Sequence, residues 1–207
     1  MTLYVPAHFR IEDRPMLVEF MRHNAFAAVV SASGAGLHAS HLPLLVDVDG
    51  DAIRLRGHFA RANPHWQSIE QAREVLAIFT GPHAYVSPTW YVTQPSVPTW
   101  NYTAVHATGT ARLTDEAELH EIVSELAAKY EAGNAPPWRL SEQPAAYVSS
   151  MLGAIVGFEM QVARLEGKFK LSQNRPVEIA RVADRLEASG EKALARLMRE
   201  HAPAGKG

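Results

Sequence analysis

The chain contains no cysteine. That excludes disulfides, a thiolate zinc site and a thiol nucleophile, and it fits a reducing compartment, so a cytoplasmic location is expected. An excess of one charge is lacking too: 20 Lys and Arg stand against 22 Asp and Glu, for a net charge of -2. A balance of that size calls for neither nucleic acid nor an anionic membrane. Long aliphatic runs are missing; the longest, such as Ala25 to Val30, fall far short of a membrane span. Met1-Thr2-Leu3-Tyr4-Val5-Pro6 carries no basic segment followed by an apolar run, so no signal peptide is expected. No repeat of solenoid length occurs. Gly34-Ala35-Gly36 opens a strand rather than a helix and is too short for a nucleotide-phosphate loop. There is no His-Glu-x-x-His and no Asp-rich loop among ten histidines. His38 and His41, three apart, fall on opposite faces of a strand, so no metal site is expected. No Gly-x-Ser-x-Gly nucleophile elbow is present.

What is there is an ordinary globular composition, 47% apolar and 20% charged over 207 residues, enough for one large domain or a domain with a small appendage. Asp13 with Pro15 starts a helix that buries Met16, Leu17, Phe20 and Met21 and stops near His23-Asn24. Phe26 to Ser31 reads as a buried strand, Ser33 to Gly36 as a turn, and Leu37 to Val48 as one long strand with an edge or bulge at Pro43. Asp49-Gly50 supplies a hairpin turn into a strand beginning at Ala52. A short helix over 64–71 and a strand over 74–80 follow, with a turn at Gly81-Pro82. Ala104 to Leu113 is a strand. Thr114 caps a helix whose first turn holds Asp115, Glu116 and Glu118 and which ends at Gly133. Ser141 to Leu152 reads as a helix, Ile155 to Leu165 as a strand, and Val177 to His201 as helical with a break at Gly190. The fold class is α+β, mainly β: six or seven antiparallel strands with peripheral helices, forming a closed or split β-barrel.

Residues 52–66 carry the densest local signal. Ile53 and Leu55 alternate with Arg54 and Arg56; the strand breaks near Gly57 and the chain restarts as a helix at Asn63-Pro64. Two strand arginines, Arg61, His58, His65 and an Asn cap meet at that junction. Taken alone it reads as a solvated corner or as an anion site suited to phosphate.

Two other segments stand out. Residues 85–102 hold Tyr85, Trp90, Tyr91, Trp100 and Tyr102 among Pro88, Pro95 and Pro98. Such a stretch serves either as a flap over a barrel end or a subunit interface, or as the lining of a ligand site. Residues 167–176 hold Lys168, Lys170, Ser172, Gln173, Asn174 and Arg175, a mix able to bond phosphate oxygens and the imide-like edge of a flavin, or simply a basic surface hairpin.

Several blocks resemble the PaiB-type FMN-binding proteins. They are Tyr4-Val5-Pro6-x-x-Phe9, Ser40-His41-Leu42-Pro43, Gly57-His58-Phe59-Ala60-Arg61-Ala62-Asn63-Pro64 and Tyr85-Val86-Ser87-Pro88-x-Trp90-Tyr91. Val97-Pro98-Thr99-Trp100-Asn101-Tyr102, His106-Ala107-x-Gly109 and Lys170-Leu171-Ser172-Gln173-Asn174-Arg175 continue the match in order over roughly residues 1–200. The resemblance implies a split barrel related to the pyridoxine-phosphate-oxidase and flavin-reductase-like barrels, built as a homodimer with FMN at the subunit interface. It implies a barrel domain over 1–175 with a helical extension over 176–207 packed on it. By position it points to His41, Leu42, Arg56, Gly57, His58, Asn63 and His65 for the FMN phosphate and ribityl, with Trp100, Asn101, Lys168, Lys170, Ser172 and Gln173 as further cofactor contacts. Asn63 and His65 stand where related oxidases use Arg and Lys, which implies a pH-sensitive clamp unless Lys168, Lys170 or Arg175 supplies the charge.

Members of that family are labelled negative transcriptional regulators, so the resemblance implies an FMN-binding regulator or flavin-dependent sensor. The alternative is an FMN-dependent oxidoreductase, with the flavin supplying the chemistry. Direct DNA binding finds little support: residues 175–207 hold seven Lys and Arg against five Asp and Glu.

Overall fold

Alternation of buried and exposed side chains builds most of this protein. The computed structural model describes residues 2–34 and 36–203. Ala35 of the expected 33–36 turn, Met1 and the last four residues of the expected C-terminal extension lie outside them. The strands are β1 (Arg10–Ile11), β2 (Phe26–Ser33), β3 (Gly36–Pro43), β4 (Leu45–Asp49), β5 (Ala52–Ala60), β6 (Val75–Val86), β7 (Thr99–Leu113) and β8 (Ile155–Lys170). The helices are α1 (Arg14–His23), α2 (His65–Ile69), α3 (Glu116–Glu131), α4 (Ala145–Gly153), α5 (Ile179–Ala188) and α6 (Lys192–Glu200). The chain divides into two compact units, and β6, β7 and β8 contribute residues to both.

The larger unit comprises 18–79 and 106–165. Its strands follow the order β3-β2-β6-β7-β8-β5-β4. The pairings β2–β3, β2–β6, β4–β5 and β5–β8 are all antiparallel. β5 shows the period of two expected from its sequence: Ile53, Leu55 and Phe59 are fully buried while Arg54 is exposed. Phe59 packs on Phe158 with ring centroids 4.9 Å apart. Ile122 and Leu126 of α3 close over Leu45. Burying such side chains contributes about 2 kcal/mol each.

The smaller unit comprises residues 1–17, 80–105 and 166–207. β1 pairs with β8, Arg10 opposite Lys168. Phe169 of β8 and Leu171 just after it are buried, as are Ile179, Val182, Leu186, Leu194 and Met198 of α5 and α6. The two helices turn at Gly190, whose φ of 96° suits glycine, and the Glu191 amide donates to the Leu186 carbonyl at 2.9 Å.

Several boundaries differ from the sequence reading. The expected strand over 37–48 is two strands, broken at Leu44, whose amide donates to the Ala25 carbonyl and whose side chain is fully buried. That break and the short β1 bring the count to eight among the described residues. β6 runs through Gly81-Pro82 instead of turning there, and β7 begins at Thr99, because both sit in the sheet and draw their ends out of the proline-rich stretch. β8 likewise continues to Lys170 rather than stopping at Leu165. The helix expected from Ser141 is a short turn at Leu140–Glu142 followed by α4, because Pro144 stands between them. Asp115, not Thr114, caps α3: its carboxylate accepts from the Glu118 amide at 2.8 Å, and Glu118 answers by accepting from the Asp115 amide. Arg112 and the Asp115 amide hold the Glu118 carboxyl down at about 2.

Two close backbone approaches shape the larger unit. A Cβ on Gly109 would lie 1.9 Å from the Gln161 carbonyl oxygen, and one on Gly57 would lie 2.8 Å from Leu44 Cδ2 and 3.2 Å from the Pro43 carbonyl. At Gly57 β5 meets the end of β3, so the sheet curls upon itself. Gly109→Ala is expected to destabilise the protein by more than about 3 kcal/mol, because backbone rather than a pliable side chain blocks the methyl. Urea denaturation with circular dichroism checks this; a midpoint within error of wild type contradicts it.

Candidate functional site

The residues expected to hold a cofactor fall into two groups, one in each unit. In the larger unit, α2 begins two residues after Asn63. Asn63 accepts from the His65 amide at 3.1 Å and donates to the Ser40 hydroxyl at 2.9 Å. His65 is buried, with Ser31 Oγ 3.0 Å from its Nε2 and Ser40 Oγ 2.8 Å from its Nδ1. Ser68 completes the cluster, 2.8 Å from Ser31. Burial and the neighbouring His38 push the His65 pKa down to about 4, so the ring is neutral in ordinary buffers. Both ring nitrogens are engaged inside the protein, tying β2, β3 and α2 together.

The cations of the junction are engaged as well. Arg56 pairs with Asp47 and Glu125, which raise its pKa further. Arg61 donates to the carbonyls of Gly153 at 2.7 Å and Ile155 at 2.9 Å, at the end of α4. His58 is half-buried, its pKa lowered by burial, and its Nδ1 has no partner. Gly57 serves the close approach described above. His38 stacks on His65 while His41 is exposed and stacks on Phe26, so the two face opposite sides of β3. Leu42 is half-buried beside His41.

In the smaller unit the residues converge differently. Lys168 and Lys170 are two apart on β8 and share a face. Lys168 is buried; its ammonium donates to the Tyr4 carbonyl at 2.9 Å and lies 5.3 Å and 5.1 Å from the ring centres of Tyr4 and Tyr102. Lys170 donates to the Thr99 hydroxyl and, at 2.6 Å, to the Trp100 carbonyl. These hydrogen-bond partners are neutral oxygens. Burial and the charge of Lys168 lower the Lys170 pKa. Trp100 is 54% exposed and packs against His83 and Tyr85, with centroids 6.4 Å and 6.2 Å away. Two positive charges with neutral partners thus lie beside an exposed aromatic surface, an arrangement that suits an anionic ligand carrying a flat ring.

The remaining expected residues support this face from behind. Asn101 and Ser172 are buried and bonded to one another at 2.9 Å, Ser172 holding a φ of 69°. Gln173 accepts from the Leu171 amide and donates to the Phe169 carbonyl, closing the turn after β8. Arg175 stacks over Tyr91 and donates to Ser96. Sequence reasoning missed Glu178, which is buried and accepts from the amides of Val92 and Thr93 at 2.7 Å and 2.9 Å, anchoring the proline-rich stretch. Burial opposes its charge, but those amides and Arg175 hold its carboxyl below the ordinary value. It missed Ser31 and Ser68 too; the available signal was a hydroxyl in the inward register of an otherwise apolar strand.

Residues 3–164 match the family model described as "Putative FMN-binding domain". The chain belongs to this FMN-binding family. It is 37% identical over 173 residues to the protease synthase and sporulation protein PAI 2 of Bacillus subtilis, covering 84% of this chain and 83% of that protein. An uncharacterised protein of Emericella nidulans is 32% identical over 199 residues, covering 76% and 79%. Among solved structures, the FAD and heme binding protein of Mycobacterium smegmatis superposes with a TM-score of 0.59 at 15% identity, covering 78% of this chain and 73% of that one. The flavocytochrome Anf3 of Azotobacter vinelandii superposes at 0.57 with 16% identity, covering 80% and 72%. These superpositions bear out the mainly antiparallel split-barrel fold expected from the sequence. Among the described residues no helix is long and apolar enough to cross a membrane, and no group of three His, Cys, Asp or Glu is arranged to hold a metal ion.

The His65 cluster sets a pH response. Its ring takes a proton near pH 4 when folded and near the ordinary 6.5 when unfolded, so between these values the unfolded chain binds more protons. Stability is therefore full above pH 6.5 and falls as pH drops towards 4, by on the order of 3 kcal/mol from this residue. His58 adds in the same direction. Calorimetry of wild type should show Tm falling over this window, with a shallower fall in His65→Gln; equal slopes contradict the assignment.

Proposed function

We propose that this chain binds FMN on the Lys170–Trp100 face of its smaller unit and acts as a flavin-responsive regulator. The observation that carries the reading is the pair Lys168 and Lys170, whose hydrogen-bond partners are neutral, beside the exposed rings of Trp100 and Tyr85. A phosphate monoester would supply the anion that Lys170 lacks, and a stacked ring would cover apolar surface now in water. In this reading Lys170 holds the phosphate, Lys168 reinforces the positive potential from beneath, and Trp100 with Tyr85 supports the ring system. Bound FMN supplies one- or two-electron redox chemistry. The chain's own residues bind it, orient it and shield one face from water.

The name of the Bacillus relative, which concerns protease synthesis and sporulation, supports a regulatory role. We carry the family expectation of a homodimer with FMN at the subunit interface as part of the proposal. The surface of α5 and α6 favours regulation without a direct grip on DNA: Arg199 pairs with Asp184 and Glu187, and Arg196 with Glu200. Arginines bonded to their own acids make a weak phosphate-binding surface.

Fluorescence titration of purified protein with FMN tests the reading. Wild type is expected to bind FMN more tightly than riboflavin, since the phosphate is what Lys170 recognises. Lys170→Ala should weaken FMN by about tenfold or more while leaving riboflavin unchanged. Equal loss for both ligands, or no loss, overturns the phosphate assignment. NADH or NADPH consumption above the background of free FMN would reassign the protein as an oxidoreductase.

A further inference from the structure

In the smaller unit three neighbouring strands end on one face. β7 lies between β6 and β8 in the sheet order. Near the end of β6, Ala84 and Val86 are buried while His83 and Tyr85 are exposed, as a period of two requires. Trp100 on β7 packs against both exposed rings, and its carbonyl accepts from Lys170 on β8. The groups therefore follow one another across the sheet, from Lys170 through Trp100 to His83 and Tyr85. With strands about 4.8 Å apart, β6 runs roughly 10 Å from β8, on the far side of β7 from the ammonium.

His83 has a fixed tautomer. Its Nδ1 lies 3.0 Å from the Gly81 carbonyl oxygen, which can only accept, so Nδ1 carries the hydrogen and donates. In the neutral ring Nε2 is then an acceptor with an open lone pair. Among the described residues no hydrogen bond or ion pair engages that nitrogen. The ammonium groups of Lys168 and Lys170 can only donate. The face thus offers donors at its β8 end and an uncommitted acceptor at its β6 end.

We infer that His83 recognises the imide edge of the flavin, its Nε2 accepting from the N3–H of the ring. An oxidised isoalloxazine has one N–H, at N3 between two carbonyls, and ends on its other side in a dimethylbenzene. With the phosphate at Lys170 and the ring on Trp100, as the flavin reading above requires, one end of the ring meets β6. A lone-pair acceptor there matches the N–H; it does not match hydrocarbon. Stacking on an indole holds a ring without fixing its direction in the plane, so the direction comes from His83. The same contact makes His83 a specificity residue among flat phosphorylated ligands. Pyridoxal phosphate offers Lys170 and Trp100 a phosphate and a ring, but no imide N–H to His83. The other side of the flavin is left to the second copy in the proposed homodimer.

Fluorescence titration of the full-length protein with FMN and with 3-methyl-FMN, whose N3 bears a methyl in place of hydrogen, tests this in wild type and His83→Phe. Phenylalanine keeps a flat ring against Trp100 and removes the acceptor. The position is exposed, so the fold should persist, and circular dichroism melting verifies this. Wild type is expected to bind FMN roughly three- to tenfold more tightly than the methylated form, the worth of one neutral hydrogen bond. In His83→Phe the two ligands should bind alike, FMN having weakened to the level of its analogue. His83→Ala, which removes ring and acceptor together, should abolish the preference as well. A preference unchanged in both variants reflects the bulk of the methyl and overturns the assignment. A wild type that does not discriminate overturns it too. Both results leave the flavin reading standing, since FMN still binds and Lys170→Ala still separates it from riboflavin. A wild type that binds no FMN overturns that reading and this assignment together.

Discussion

The close passage of backbone against backbone governs this structure. Gly109 faces the Gln161 carbonyl at a distance no side chain could tolerate, and Gly57 lets β5 reach the end of β3. A sheet that curls this tightly has an inside, and its inside is filled by Phe59, Phe158, Phe79 and Met160. Polar groups trapped there must bond with one another. Hence Ser31, Ser40, Ser68 and Asn63 gather around His65, and the imidazole stays neutral because its surroundings cannot solvate a charge.

The same logic separates structural charges from available ones. Around the 52–66 junction, Arg56 lies between two carboxylates and Arg61 between two carbonyls. Each is held by a partner that would have to be displaced before an external phosphate could bind. Lys168 and Lys170 are different: they touch hydroxyl, carbonyl and ring, and those neighbours leave net positive charge in place. An ion pair neutralises a cation, whereas a neutral hydrogen-bond acceptor only orients it. A motif count treats all four cations alike; their partners distinguish them.

The class of fold was legible because it rests on local patterns. The period of two in β5, the Asp49-Gly50 hairpin turn, the acidic start of α3 and the Gly190 break each need only neighbours in sequence to act. Family membership was legible for a related reason, since blocks such as 57–64, which resemble those of the family, lie within the matched residues 3–164. The misplaced boundaries share one cause. β6 and β7 extend into the two ends of a stretch rich in proline and aromatic residues, and β8 extends five residues beyond its expected end, because cross-strand hydrogen bonds outweigh local turn preference. The break at Leu44 and the anchoring by Glu178 arise from contacts with residues far along the chain.

The sequence by itself determined that this is an antiparallel, mainly β protein of the FMN-binding family, with cations and aromatics concentrated in a few segments. Only the tertiary structure decided what those residues do. It turned His65 and Asn63 inward, paired Arg56 with Asp47 and Glu125, and left Lys170 beside Trp100 with neutral partners. The physical reason is that desolvation and ion pairing depend on what lies within a few ångströms in space, and spacing along the chain does not specify that.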